Sequence, residues 1–216
     1  MKIKYYGHSC FLLTGKDISI ATDPYDPSVG YDLPAIKVDV VTVSHQHFDH
    51  SYLKAIRPGA AVIDIPGEHH VKGVDIKGYE VNHDSKGGTQ RGKNIIFRMD
   101  SIDGVSICHL GDLGETLSND VVEKIKGVDV LFAPVGGFFT LEPEQMLVEV
   151  RRINPKILIP MHFAVETTSG DLPIKPVDYF LKVYGKGEKL NSDELEITPE
   201  SLPQTTRVYV LDFYNK

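Results

Sequence analysis

Tryptophan is absent and cysteine occurs only twice in the 216 residues. Cys10 and Cys108 sit in separate apolar runs and form no CxxC, so neither a disulfide framework nor a thiolate metal site is expected; both read as small, buried, unbonded packing residues. Basic runs are missing as well, and the net charge is -7. That disfavours a phosphate-tracking surface, and with it nucleic acid as the main partner. No apolar stretch approaches the roughly 20 residues of a membrane helix. Residues 1–6 lack the apolar run of a signal peptide. A cytoplasmic protein without a membrane partner is expected.

What remains is an ordinary globular composition, 41% hydrophobic and 25% charged, long enough to bury a real core. Neither a linker nor a low-complexity segment interrupts it, which predicts one domain over residues 1–216. Scattered glycine and proline fit many short strands joined by tight turns. Apolar runs predict strands over 2–6, 10–14, 18–22, 38–43, 60–65, 74–81, 93–99, 105–110, 128–135, 156–159 and 206–213. Helices are expected at 51–56, at 120–126 (Asp120 and Glu123 spaced as a capping box), at 143–153 and at 177–184. Strands meander first and alternate with helices later, which predicts two mixed sheets packed face to face with helices outside.

The densest chemistry follows strand 38–43, in His45-Gln46-His47-Phe48-Asp49-His50. Imidazole and carboxylate are the donors a zinc-like ion takes where no thiolate is offered. Two histidines two residues apart can grip one ion; Asp49 and His50 can face a second beside it. A solvated histidine-rich loop is the competing reading, but four donors seldom gather at the mouth of a buried strand. Further donors recur at the same kind of place. His83 follows strand 74–81, Asp112 follows 105–110, and His162 follows 156–159. Strand ends on one sheet edge converge, so these seven side chains suit two ions with room for water.

The set resembles that of the metallo-β-lactamase-fold superfamily, whose H-x-H-x-D-H run and G-D-x-G turn (here Gly111-Asp112-Leu113-Gly114) are its most specific features. The likeness runs from Lys2 to about Tyr214. Gly7-His8-Ser9, Thr22-Asp23-Pro24 and Pro160-Met161-His162 resemble, more narrowly, small stand-alone Zn-dependent hydrolases related to the ascorbate-6-phosphate lactonases. The resemblance implies an α/β four-layer αββα sandwich with a dinuclear site at one edge. It implies His45, His47 and His83 on one ion, Asp49, His50 and His162 on the other, and Asp112 bridging. Asp23 resembles an aspartate standing behind the ligands. Two divalent ions, zinc first, with manganese or iron open, would lower the pKa of a water to about 7. The resulting hydroxide would attack a small ester, lactone or phosphoester, and Asp49 would be the catalytic carboxylate.

Four histidines stay outside this set. His8 reads as a pocket residue or as a turn stabiliser, His109 as a buried, satisfied imidazole or a partner behind the ligands, and His69-His70 as surface. Lys86 and Arg91 either meet an anionic substrate or are solvated loop charges, the latter favoured. Residues 164–175 are expected to wall the pocket. Three other functions compete. A sensor module would keep the metals without turnover. A di-iron oxidoreductase would typically carry glutamate at the position of His47, together with a flavin domain, and a nuclease would add a nucleic-acid-gripping segment.

Overall fold

The structure, a computed structural model, describes residues 1–165 and 173–214. Strands β1 (Lys2–Gly7), β2 (Cys10–Thr14), β3 (Ser19–Thr22), β4 (Val40–Thr42) and β5 (Ala61–Ile63) come first. Then follow β6 (Gly67–Val71), β7 (Val74–Asn82), β8 (Lys93–Ile102) and β9 (Val105–His109). The chain next alternates through α1 (Asn119–Ile125), β10 (Val130–Pro134), α2 (Pro143–Ile153), β11 (Ile157–Met161) and α3 (Val177–Tyr184). It ends with β12 (Glu188–Lys189), β13 (Glu194–Glu196) and β14 (Arg207–Val210).

Two mixed sheets result, as the sequence predicts. The first has the order β13-β1-β2-β3-β4-β5, the second β12-β14-β11-β10-β9-β8-β7-β6. Period-two alternation sorts each strand of the first sheet. Ile3, Phe11, Leu13, Ile20 and Val40 face the second sheet, while Cys10, Ala21 and Val41 face outward. Between the sheets Phe11 stacks on Phe132, with ring centroids 4.0 Å apart. Burying each such ring contributes roughly 1.5–3 kcal/mol. Successive parallel crossovers from β9 to β10 and β11 advance in one direction, so their right-handedness puts α1 and α2 on one face of the second sheet.

The outward face of the first sheet is covered differently. Tyr25, Tyr31, Ile36 and Val38 pack over it, against Tyr6 of β1, with 3-10 turns at Pro27–Val29 and Leu53–Ala55. The helix expected at 51–56 is therefore corrected to a single 3-10 turn. Pro58-Gly59 leaves it no length, and Tyr52 N–H is already committed to Pro24 O at 2.7 Å. Helix α1 starts one residue earlier than expected, because Ser118, not Asp120, caps it by accepting from Val121 N–H. His69 and His70 lie on the exposed hairpin strand β6, which sequence reading did not find, and their side chains remain at the surface. Cys10 and Cys108 are free and buried in different clusters. Among the described residues no helix is long and apolar enough to cross a membrane.

Strand direction positions the site. β1, β3 and β4 run the same way in the first sheet. β7, β9, β10 and β11 do so in the second. The residues just past these C-terminal ends lie at one edge of the sandwich.

Candidate metal centre

That edge gathers His8 after β1, Asp23 after β3, His45 to His50 after β4, His83 after β7, Asp112 after β9 and His162 after β11. His50, His83 and His162 each bring Nε2 to 3.3 Å from one oxygen, Asp112 Oδ2. Donor atoms of His45, His47 and His83 lie within 4.8 Å of one another. So do those of His45, His50 and Asp112, and those of His8, Asp49, His50 and His162. All seven sequence-predicted donors are thus brought together. Only His47 is exposed, so the cluster opens to solvent beside His47 and the half-buried Asp49.

Backbone geometry sets the donors in place. Asp23 and His162 have left-handed φ of 38° and 51°, uncommon for non-glycine residues and characteristic of functional turns. Gly111 carries φ +54°, and a Cβ there would stand 2.2 Å from Asn94 Oδ1. That same Oδ1 accepts from Asp112 N–H at 2.9 Å, while Asn94 Nδ2 donates to Leu110 O. A Cβ on Gly114 would meet the His83 carbonyl carbon at 2.2 Å. Only glycine lets the Asp112 turn nest against β8 and the His83 segment.

Hydrogen bonds behind the cluster select tautomers. His50 Nδ1–H donates to Asp23 Oδ2 at 2.9 Å, which turns its Nε2 toward the cluster. Ser44 Oγ donates to the same Oδ2 at 2.6 Å and accepts from His45 Nδ1–H at 3.0 Å. One buried carboxylate therefore orients two imidazoles, the usual arrangement behind metal-binding histidines. His109 is occupied on both sides: Nε2–H donates to Ser9 O, and Nδ1 accepts from Gly111 N–H. It stands behind the cluster with no nitrogen to spare.

Electrostatics favours a cation in the cluster. Burial, then the neighbouring His50, pushes the His45 pKa down to about 3, so the ring is neutral at pH 7, the form that ligates. Burial, then His162, lowers His8 to about 4 against the pull of Asp49. Burial also opposes charge on His50, yet Asp112, Asp23 and Asp49 outweigh it and hold that pKa well above the usual value. Asp112 is held well below the usual range: burial raises it, but His162 and His50 more than compensate. His45 Nε2, Asp112 Oδ1, His83 Nδ1 and His162 Nδ1 are buried without a hydrogen-bond partner. Unpartnered buried polar atoms are rare in folded proteins; of these four, His45 Nε2 and Asp112 Oδ1 fit a divalent ion, whereas His83 and His162 turn their other nitrogen, Nε2, toward Asp112.

Sequence reading missed Ser44, Asn94 and Asp84. The buried Asp84 carboxylate gathers the backbone N–H groups of Lys86, Gly88, Gln90 and Arg91 at 2.7–3.0 Å, folding the glycine-rich loop next to His83. An aspartate entering a glycine-rich loop was the available signal. Lys86 is solvated, whereas Arg91 lies over the Phe139 ring at 5.4 Å. Of the expected pocket wall, residues 166–172 lie outside the described residues. The flanking Ala164 N–H and Lys175 O pair at 3.0 Å beside the Gly136 turn.

Comparison with known proteins agrees with this fold. A family profile described as Beta-lactamase superfamily domain matches residues 2–162. A UPF0173 metal-dependent hydrolase of Methanoculleus marisnigri is 30% identical over 190 residues, covering 76% of this chain and 81% of the relative. A candidate Zn-dependent hydrolase of the metallo-beta-lactamase superfamily from Thermotoga maritima has a crystal structure similar at TM-score 0.82 and 37% identity, covering 99% of both chains. The isothiocyanate hydrolase of Delia radicum gut bacteria, 15% identical, is similar in fold alone, at TM-score 0.68 over 92% of this chain and 100% of that one.

Proposed function

Since this chain belongs to the beta-lactamase superfamily, we propose that it is a metal-dependent hydrolase with a dinuclear centre, acting on a small ester, lactone or phosphoester. The observation that carries this reading is the convergence of three imidazole Nε2 atoms, each 3.3 Å from Asp112 Oδ2, with His45 Nε2 and Asp112 Oδ1 left unpartnered in the interior. Relatives named metal-dependent hydrolases support it.

In this reading His45, His47 and His83 hold one ion, Asp49, His50 and His162 the other, and Asp112 stands between them. A pair of divalent ions, zinc by preference, supplies an acidified water and neutralises charge developing on the attacked group. Asp23 keeps His50 and, through Ser44, His45 in the ligating tautomer. Asp49, at the open side, takes a proton from the attacking water or passes one to the leaving group. No serine or cysteine nucleophile is required. A core shared by both sheets supports treating residues 1–216 as one domain. Two free, buried thiols suit a cytoplasmic setting.

The test is hydrolysis of a panel of lactones, thioesters, carboxylic esters and phosphodiesters by metal-loaded and chelated protein. The proposal expects turnover of at least one class that chelation abolishes and metal restores. A fully loaded protein that binds one metabolite tightly and turns over none of the panel would instead be the sensor module.

A further inference from the structure

His8 lies in the tight turn between β1 and β2, and the structure fixes it firmly. Gly7 carries φ +104°, and a Cβ there would stand 2.5 Å from the Tyr31 ring. His8 follows with φ 53°. Its carbonyl accepts from Tyr5 Oη–H at 2.8 Å and from His162 N–H at 2.9 Å. The second of these bonds ties the turn to the end of β11. The buried His8 ring is thereby held 4.5 Å from that of His162 and 4.9 Å from that of His50.

Its Nε2 stands 3.2 Å from Asp49 Oδ2 and 3.2 Å from His50 Nε2. Adjacent donors about 2.0–2.1 Å from one zinc-like ion stand roughly 2.8–3.0 Å apart in an octahedral arrangement and about 3.3–3.4 Å apart in a tetrahedral one, and the two His8 separations fall between these limits. In the ion-free protein the proton on His8 Nε2 is donated to Asp49 Oδ2. Once Asp49 and His50 turn their lone pairs onto an ion, that N–H has no acceptor and points at a cation. The favourable tautomer then carries the proton on Nδ1 and offers the Nε2 lone pair.

We infer that His8 is a further protein ligand of the second ion, joining Asp49, His50, His162 and Asp112; the inference rests on the two-ion reading above. It makes the two halves of the centre unequal. The first has three histidines and Asp112, enough for a tetrahedral ion. The second has five protein donors, more than the four of a tetrahedral zinc site, and suits an ion of higher coordination number.

The test uses the full chain labelled with 15N-histidine and titrated with zinc alone. With two equivalents bound, the His8 Nε2 resonance is expected to lose its proton and take the shift of a metal-bound nitrogen. An Nε2–H that persists on His8 with both ions bound overturns the assignment. Fewer than two ions bound defeats the two-ion reading itself, and the His8 assignment with it, so the two failures are distinguishable. In parallel, His8→Asn, which suits the left-handed backbone, is expected to weaken the second ion by at least about 100-fold and leave the first. Two ions held at native affinity in a folded His8→Asn protein would also overturn it. Should that variant not fold, the native-chain resonance decides alone.

Discussion

Asp23 makes no direct approach to solvent or substrate, yet Asp23→Asn is expected to loosen both metal positions. The carboxylate is fully buried and accepts three hydrogen bonds: from Ser44 N–H at 2.8 Å, Ser44 Oγ–H at 2.6 Å and His50 Nδ1–H at 2.9 Å. Asparagine keeps the shape but presents one NH2 where only donors face it. At least one of the three bonds is lost, and a buried donor is left unsatisfied at a cost of about 1–3 kcal/mol. His50 is then free to rotate or change tautomer, and Ser44 no longer holds His45. Loss of such an orienting partner weakens metal binding by about 10–100-fold, equivalent to about 1.4–2.8 kcal/mol. Chelator competition with zinc measures this directly, and thermal melting of the metal-free protein separates the binding effect from stability. A folded Asp23→Asn protein holding both ions within about threefold of native affinity would refute the argument that this carboxylate orients the imidazoles.

Three further outcomes are expected. Gly111→Ala places a methyl carbon 2.2 Å from Asn94 Oδ1 and 2.6 Å from Ser44 Cβ at a left-handed position; urea unfolding should register a loss of about 1–3 kcal/mol, with weakened metal retention because Asp112 is displaced. Asp49→Asn should lower turnover of any accepted substrate by orders of magnitude while the ion on His45, His47 and His83 remains, which metal analysis beside steady-state kinetics will check. Away from the site, burial raises the Asp129 pKa, but Lys156 and Ser106 outweigh it and hold the group below the usual carboxylate range. Its contribution is therefore complete above about pH 4 and is lost as pH falls through the folded value. The urea-midpoint gap between the native protein and Asp129→Asn should narrow below about pH 4; a gap constant from pH 7 to pH 3 would contradict the sign.

Much of the fold was legible because its core strands are short apolar runs and α2 carries both Pro143 at its start and apolar residues on one face. What escaped reading lacked that pattern. β6, β12 and β13 are short, largely exposed and held by neighbours already in place. The span 51–56 had helical composition but too few residues before Pro58-Gly59, so it closed as one 3-10 turn. In the candidate site, the seven donors were legible because each follows an apolar strand. Ser44 and Asn94 were not, since a buried serine or asparagine declares itself only through partners distant in sequence, such as Asp23 and Asp112. His8 falls between these cases. Its place at a strand end was visible, but the bond from His162 N–H that brings it to the cluster spans most of the chain.

The most direct test of the central claim is anomalous diffraction from crystals of the full chain loaded with zinc, recorded on both sides of the zinc absorption edge. Two peaks about 3.5–4 Å apart are expected, one enclosed by His45, His47 and His83, the other by Asp49, His50 and His162, with Asp112 between them. A single peak, or zinc bound elsewhere while these side chains remain as they are here, would contradict the claim.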